Sequence, residues 1–434
     1  MISNPSAQSL RVDQSSQNAI LNWQNFSIGA GNSVVFQQPS ASSVALNRVL
    51  GNSASEIFGS LTANGQLFLV NPNGVLFGRG ASVDVGGLAA STLGIKDSDF
   101  MSGRYVFTKG TGAGSVVNEG TITTLSGYAA LIGPQVSNTG VINARMGTAA
   151  MAAGDAVTLD MVGDGLISVR VDAAALNASA INKGTITADG GNVLMTARSA
   201  NALLDTVINN EGVIRANAIS ERGGSIYLDG GSTGVTSVSG TLEASGLVAG
   251  QKGGVVTVLG QNVGLGLNSA STLINTSGDS GGGAVLVGGN FQGKGPQANA
   301  QKTFVGNNTS ISADAVTSGD GGKVIVWADV WTKFFGSISA KGGTQGGDGG
   351  FAEVSGKGTL AFNGTVNLRA PRGRTGTLLL DPTNIEIAAS SEFGVTVAQV
   401  DAFLDADVDN GGAAPDATTN KIGVGAIVTV GGGV

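Results

Sequence analysis

The chain has 434 residues with a net charge of −7, and it contains no cysteine and no histidine. That excludes disulfides, thiol chemistry, thiolate metal sites, a His-dependent catalytic triad and a His-ligated zinc. Glycine numbers 72 against 8 prolines, apolar content is 41% and charged content 12%. High glycine without a Gly-X-Y period excludes collagen, and this much apolar content argues against disorder. There is no dense Lys/Arg run and hence no electrostatic footprint for nucleic acid. No apolar run approaches about 18 residues, so no transmembrane helix is expected.

Met1-Ile2-Ser3-Asn4-Pro5 lacks the charged and apolar regions of a signal peptide. The first hundred residues carry little repetition. Asn18 to Ile28 reads as strand, turn, strand; Val34 to Pro39 and Ala45 to Val49 read as further short strands. A solenoid needs an end cap, because its terminal coil exposes unpaired edges, and this irregular region suits that task.

Gly65-Gln66-Leu67-Phe68-Leu69-Val70 is an apolar strand that runs into Asn71-Pro72-Asn73-Gly74, and Val75-Leu76-Phe77 leaves it. Pro72 fixes φ, Asn73 and Gly74 tolerate positive φ, and Asn71 can bond its own backbone, so the tetrad is a turn. The segment from Lys96 to Gly114, with Phe100 and Phe107, breaks the glycine rhythm and is expected to project from the stack.

Two repeats follow. The first has the form Asn-x-Gly-x-Ile/Val, at Asn118-Glu119-Gly120, Asn138-Thr139-Gly140, Asn182-Lys183-Gly184 and Asn210-Glu211-Gly212. From Gly120 to Gly140 is 20 residues; Gly140 to Gly184 is 44, read as two steps of 22; Gly184 to Gly212 and Gly212 to Gly240 are 28 each. The second repeat is Gly-Gly followed by an alternating strand, starting at Gly190, Gly223, Gly253, Gly282, Gly321 and Gly349. A period of roughly 20 to 30 residues with short β-branched strands and Gly/Asn turns marks a solenoid. The expected fold is all-β, a right-handed parallel β-helix with an irregular N-terminal cap and extra-helical strands. Inward Val, Ile and Leu would form apolar ladders, and the recurring asparagines a hydrogen-bonded ladder along the axis. Glycine at the corners is expected to supply backbone conformations that other residues resist. Gly376 to Ile387 reads as one more coil, and Thr396 to Val408 as a short amphipathic helix. The chain stops at Gly431-Gly432-Gly433-Val434 in mid-rhythm and reads as truncated.

Several motifs invite misreading. Gly278-Asp279-Ser280-Gly281-Gly282 copies the nucleophile loop of trypsin-like proteases, but no histidine exists to activate Ser280. Asp320 and Gly346-Gly347-Asp348-Gly349-Gly350 resemble calcium-binding nonapeptide repeats, though the tandem is not sustained. Trp23, Trp327 and Trp331 are read as packing residues. No catalytic residue, metal site or cofactor is assigned; a β-helical carbohydrate-active enzyme stands as the distant alternative.

Four stretches carry a family resemblance: Gln17 to Trp23, Asn47-Arg48-Val49, Gly65 to Gly74, and Gly86-Gly87-Leu88-Ala89-Ala90-Ser91-Thr92. In this order they resemble the secretion domain of two-partner-secretion exoproteins, the filamentous-haemagglutinin family. The family's second tetrad, Asn-Pro-Asn-Leu, is absent, and Asn47-Arg48-Val49 stands where the high-molecular-weight adhesin branch has its equivalent. Gly322 to Asp329 and Leu379 to Asn384 are also similar to that branch. The resemblance implies an exoprotein recognised in the periplasm by an outer-membrane β-barrel transporter with POTRA domains and threaded unfolded to the surface of a Gram-negative cell. A signal peptide and further residues would precede Met1. Asn71, Pro72, Asn73 and Gly74 are then the secretion motif, with Asn47 and Arg48 secondary positions. Three regions are expected: 1–115 as cap and core of the secretion domain, 116–390 as β-helix coils, and 391–434 as a short helix and the start of a following region. The whole protein reads as an adhesin that meets a host-cell receptor or glycan; the alternative is the delivery part of a haem-acquisition protein or contact-dependent toxin.

Overall fold

The computed structural model describes residues 1–124, 126–161, 167–200 and 206–381, and the backbone of three short strands, Glu386–Ala388, Lys421–Gly423 and Ile427–Thr429. The helix expected from Thr396 to Val408 lies outside the described residues. The chain forms two compact units, Met1–Ala200 and Asn201–Val434. Each is a set of short parallel strands wound into coils. Among the described residues no helix is long and apolar enough to cross a membrane.

The first unit opens with an antiparallel hairpin, Ile2–Ser6 with Ser9–Asp13, and parallel stacking begins at once as Ser9–Asp13 pairs with Ser33–Gln37. From there Leu61 pairs with Val83, Val83 with Ile122, Ile122 with Ile142, and Ile142 with Ile186. None of these residues is more than 1% exposed, so one apolar column runs through consecutive coils. Each coil leaves half its inward strand surface unsatisfied until the next one docks, which is why the pattern must repeat. The second unit carries its own column, Ile214, Leu242, Ile274, Ile311, Ile338 and Val366, paired in that order. Strands after the Gly-Gly pairs form another face there, Ser225–Asp229, Val255–Leu259, Ala284–Val287, Lys323–Ala328 and Phe351–Gly356, and Thr377–Leu379 after the single Gly376 extends it.

The asparagine ladder is present in the first unit. Asn118 Nδ2 donates to Asn138 Oδ1, and Asn138 Nδ2 to Asn182 Oδ1, both at 2.8 Å. All three side chains are fully buried. An interior amide must find partners, and the same amide one coil away supplies them in register. The glycine beside each asparagine serves a purpose other than the expected one. Gly120, Gly140 and Gly184 do not adopt positive φ. A Cβ on Gly140 or Gly184 would instead stand 2.2 Å from the carbonyl oxygen of the glycine one coil earlier. Close coil-to-coil approach, not left-handed backbone, selects glycine at these corners.

The 44-residue step is a single coil, not two of 22: Val141–Asn143 pairs directly with Thr185–Thr187. The extra length leaves the stack as two antiparallel strands, Ala156–Asp160 and Ser168–Ala173. They join Gly94–Ile95 and Tyr105–Thr108 in a four-stranded antiparallel sheet outside the coils. The projection expected between Lys96 and Gly114 therefore supplies part of a larger feature, the strand Tyr105–Thr108 and the short helix Asp97–Met101.

This outer sheet covers the outward face of the coil strands. Phe68, Phe100 and Phe107, with Tyr105, form a cluster with ring centroids 4.8 to 6.1 Å apart. Beneath it the strands Tyr128–Gly133 and Thr148–Ala153 are buried at every position. Strands covered on both faces lose the apolar/polar alternation, which explains Thr148-Ala149-Ala150-Met151-Ala152-Ala153. Burial pushes the Tyr128 phenol well above its usual range, and its hydroxyl donates to Gln66 Oε1 at 3.0 Å.

Candidate functional site

The tetrad forms the corner that follows strand Ser60–Val70 and precedes strand Val75–Phe77. Asn71 is fully buried and acts as its node. Asn71 Oδ1 accepts the Asn73 backbone N–H at 3.0 Å and Asn73 Nδ2 at 3.2 Å. Asn71 Nδ2 donates to Ser53 O and to Ser55 Oγ, each at 3.0 Å. The Gly74 N–H closes the turn on Asn71 O at 3.1 Å. Gly74 adopts φ +126°, where a side chain is strained, while Asn73 stays out of the positive-φ region.

The corner is built from neighbouring coils. Asn73 Nδ2 donates to Gly51 O at 2.8 Å. Gly114 N donates to Pro72 O at 3.1 Å, and a Cβ on Gly112 would stand 2.2 Å from Pro72 O. Outward, Asn73 is exposed, Pro72 half-buried, Asn52 and Ser53 exposed, and Leu50 is 55% exposed. Interior amide bonding thus fixes a turn whose second and third residues face solvent.

Asn47 and Arg48 lie one coil away, opposite Leu69 and Val70 in the register. The structure therefore brings both groups of predicted positions to one corner. Alternation sends the two side chains to opposite faces. Asn47 is buried; its Oδ1 accepts Trp23 Nε1 at 3.0 Å and its Nδ2 donates to Phe68 O at 3.4 Å. Arg48 Nη2 donates to Ile95 O at 2.8 Å and to Asp97 Oδ1 at 2.6 Å, which ties this strand to the outer sheet and its helix. The partners Gly51, Ser53, Ser55, Ile95 and Asp97 had no local signal in the sequence, since they lie 16 to 49 residues from the side chains they satisfy.

The misleading motifs resolve into turns. Ser280 Oγ donates to Gly250 O at 2.8 Å. Hydrogen bonds from Thr317 and the Gly250 N–H hold the Asp279 carboxyl below its usual range. The Asp348 carboxylate accepts the Arg374 backbone N–H at 2.8 Å and its guanidinium at 2.7 and 2.9 Å. Among the described residues no three His, Cys, Asp or Glu side chains group to hold a metal ion. Trp327 is 5% exposed and donates to Asp329 Oδ1 at 3.0 Å.

The family described as TPS secretion domain matches residues 3–244, more than half of the 434 residues. The chain belongs to the two-partner-secretion domain family. The stretch matched contains all six predicted positions and the outer sheet. The HMW1 secretion domain from Haemophilus influenzae superposes with a TM-score of 0.75 at 29% identity, over 88% of this chain and 97% of that one. Two Haemophilus influenzae proteins named heme/hemopexin-binding protein are 34% and 29% identical over 227 and 249 residues. Those matches span 50% and 52% of this chain but only 25% and 26% of the relatives. Members of this family are secreted across the Gram-negative outer membrane, and the domain implies recognition by a dedicated outer-membrane transporter; they are typically non-enzymatic.

Proposed function

We propose that the chain is the export module of a large surface exoprotein and that its Asn71-Pro72-Asn73-Gly74 turn is an element the transporter reads. One observation carries this: the turn's own bonds are local. Asn71 Oδ1 reaches the N–H two residues on, and Pro72 presets φ, so the turn can form before the coils around it. A chain threaded unfolded presents that local feature to a β-barrel transporter with POTRA domains. Asn71 Nδ2, in contrast, satisfies groups 16 and 18 residues away and serves the folded state. Asn47 and Arg48 would support the corner and the outer sheet.

Two substitutions separate these tasks. Asn71→Asp keeps the acceptor for the Asn73 N–H and loses both donors; Asn71→Ala loses all of them. Secretion in a Gram-negative host that carries the barrel should survive Asn71→Asp and fail with Asn71→Ala, although both lower the thermal stability of the purified chain. Loss of secretion in step with stability for both variants would make the turn scaffold only.

For the distal task, an adhesin that meets a host-cell receptor or glycan remains one reading. Haem acquisition is the second, favoured by the names of the two relatives. Haem iron is commonly held by His, Cys, Met or Tyr. With neither His nor Cys in the chain, a His- or Cys-ligated haem would depend on residues outside it. Haem titration of the purified chain should therefore give no His- or Cys-ligated Soret signature.

A further inference from the structure

The second unit contains a cavity of about 340 Å³ between the coil turns after Ser225–Asp229 and Val255–Leu259 and the loop at 296–301. Its polar walls include Tyr227, Asp229, Gln261, Gln297, Asn299 and Gln301. Nothing in the export reading uses them. We propose that this cavity binds a neutral pyranose sugar.

Three observations favour that ligand class. The lining contains no Lys or Arg, and Asp229 makes it acidic, which disfavours anions. It has only one carboxylate and no histidine, too little negative charge to favour a bare divalent cation. Its chemistry is dominated by side-chain amides, a group that carries both donors and an acceptor; Asn299 Nδ2 and Gln297 Oε1 are engaged within the protein, which leaves Gln261 and Gln301 to meet a ligand. Sugar hydroxyls also donate and accept. The Tyr227 ring and Pro296 supply apolar surface for the C–H face of a ring. The volume lies at the lower end of the roughly 300–1,000 Å³ usual for small-ligand sites.

The walls are also held in place. Asp229 Oδ1 accepts the Gly231 N–H at 2.8 Å, and Tyr227 Oη donates to Asp229 Oδ2 at 3.4 Å. The Gln301 N–H closes the loop onto Gln261 O at 2.6 Å. Asn299 Nδ2 donates to Gly293 O at 2.9 Å and to Asp329 Oδ1 at 3.2 Å. Asn299 Oδ1 is buried and receives no hydrogen bond in the structure.

The proposal stands apart from export and is tested without it. The purified 434-residue chain is titrated with galactose, glucose and N-acetylglucosamine by saturation-transfer NMR and calorimetry. N-acetylneuraminic acid serves as the anionic control. At least one neutral sugar should bind more tightly than the acid. Gln261→Ala should weaken it at least fivefold with unchanged Tm, and Asp229→Asn should weaken it as well. Gln261 is the safer variant, since its side chain has no hydrogen-bond partner among the described residues. Absence of binding by all three neutral sugars, tighter binding of the acid, or a Kd unchanged in Gln261→Ala would overturn the proposal.

Discussion

Asn71 is one buried amide whose donors and acceptor serve groups on both sides of the corner. Its removal leaves Ser53 O, Ser55 Oγ and the Asn73 N–H without that partner. Asn71→Ala should therefore cost about 1–3 kcal/mol, the usual penalty for orphaned buried groups. Asn73 is exposed, so Asn73→Ala should cost less than about 1 kcal/mol. Urea denaturation of the two variants checks the order. Glu353 is a second residue with a sharp expectation. It is fully buried and accepts the Gln292 N–H at 3.1 and 3.2 Å. Burial, with a smaller push from Asp381, raises its pKa against the opposing Gln292 and Ser355 hydrogen bonds and Lys323. A raised carboxyl pKa means that the folded state holds the proton more tightly. Its contribution is greatest below the ordinary Glu value of about 4.3 and is lost as pH rises through the folded pKa. Glu353→Gln cannot titrate, so its stability relative to wild type should improve from pH 4 to pH 7. A difference that stays flat across that range would contradict the assignment. At this scale the turn was legible because its Asn, Pro and Gly act within four residues. Its coil-to-coil partners were not, because sequence distance hides them.

Among the elements, the outer sheet is the part that the repeats concealed. Two insertions, far apart in sequence, meet as antiparallel neighbours and cover the strands Tyr128–Gly133 and Thr148–Ala153. The 44-residue step fitted two short coils arithmetically, and the direct pairing of Val141–Asn143 with Thr185–Thr187 decides against it. Two signals stood in the sequence. Thr148 to Ala153 lacks alternation, and Val157 to Asp160 alternates with no Asn-x-Gly beside it. The asparagine ladder was legible for the opposite reason, since recurrence at a fixed distance from glycine survives any coil length. The energetics of the outer sheet should rest on its aromatic cluster. Phe107 is fully buried, and Phe107→Ala should cost roughly 3–5 kcal/mol. The Arg48–Asp97 pair is partly exposed, at 21% and 62% of the side chains, and its ion pair should contribute only about 0–1 kcal/mol. Chemical denaturation of Phe107→Ala and Asp97→Ala should separate by that margin; equal losses would move the anchor of the sheet from the rings to the ion pair.

Across each unit, contacts are made between successive coils, so every coil has its template in the one before it. Such nearest-neighbour topology favours sequential folding from coil to coil. The absence of cysteine leaves nothing to cross-link in an oxidising periplasm. The most direct measurement is secretion from a Gram-negative host of the chain placed behind a cleavable signal peptide, with and without the cognate outer-membrane barrel. Wild type, Asn71→Asp and Asn71→Ala are compared, and purified samples are melted in parallel. Barrel-dependent release of wild type and Asn71→Asp, with Asn71→Ala retained, is the predicted result. Release of Asn71→Ala at the wild-type level, or release of wild type without the barrel, would contradict it.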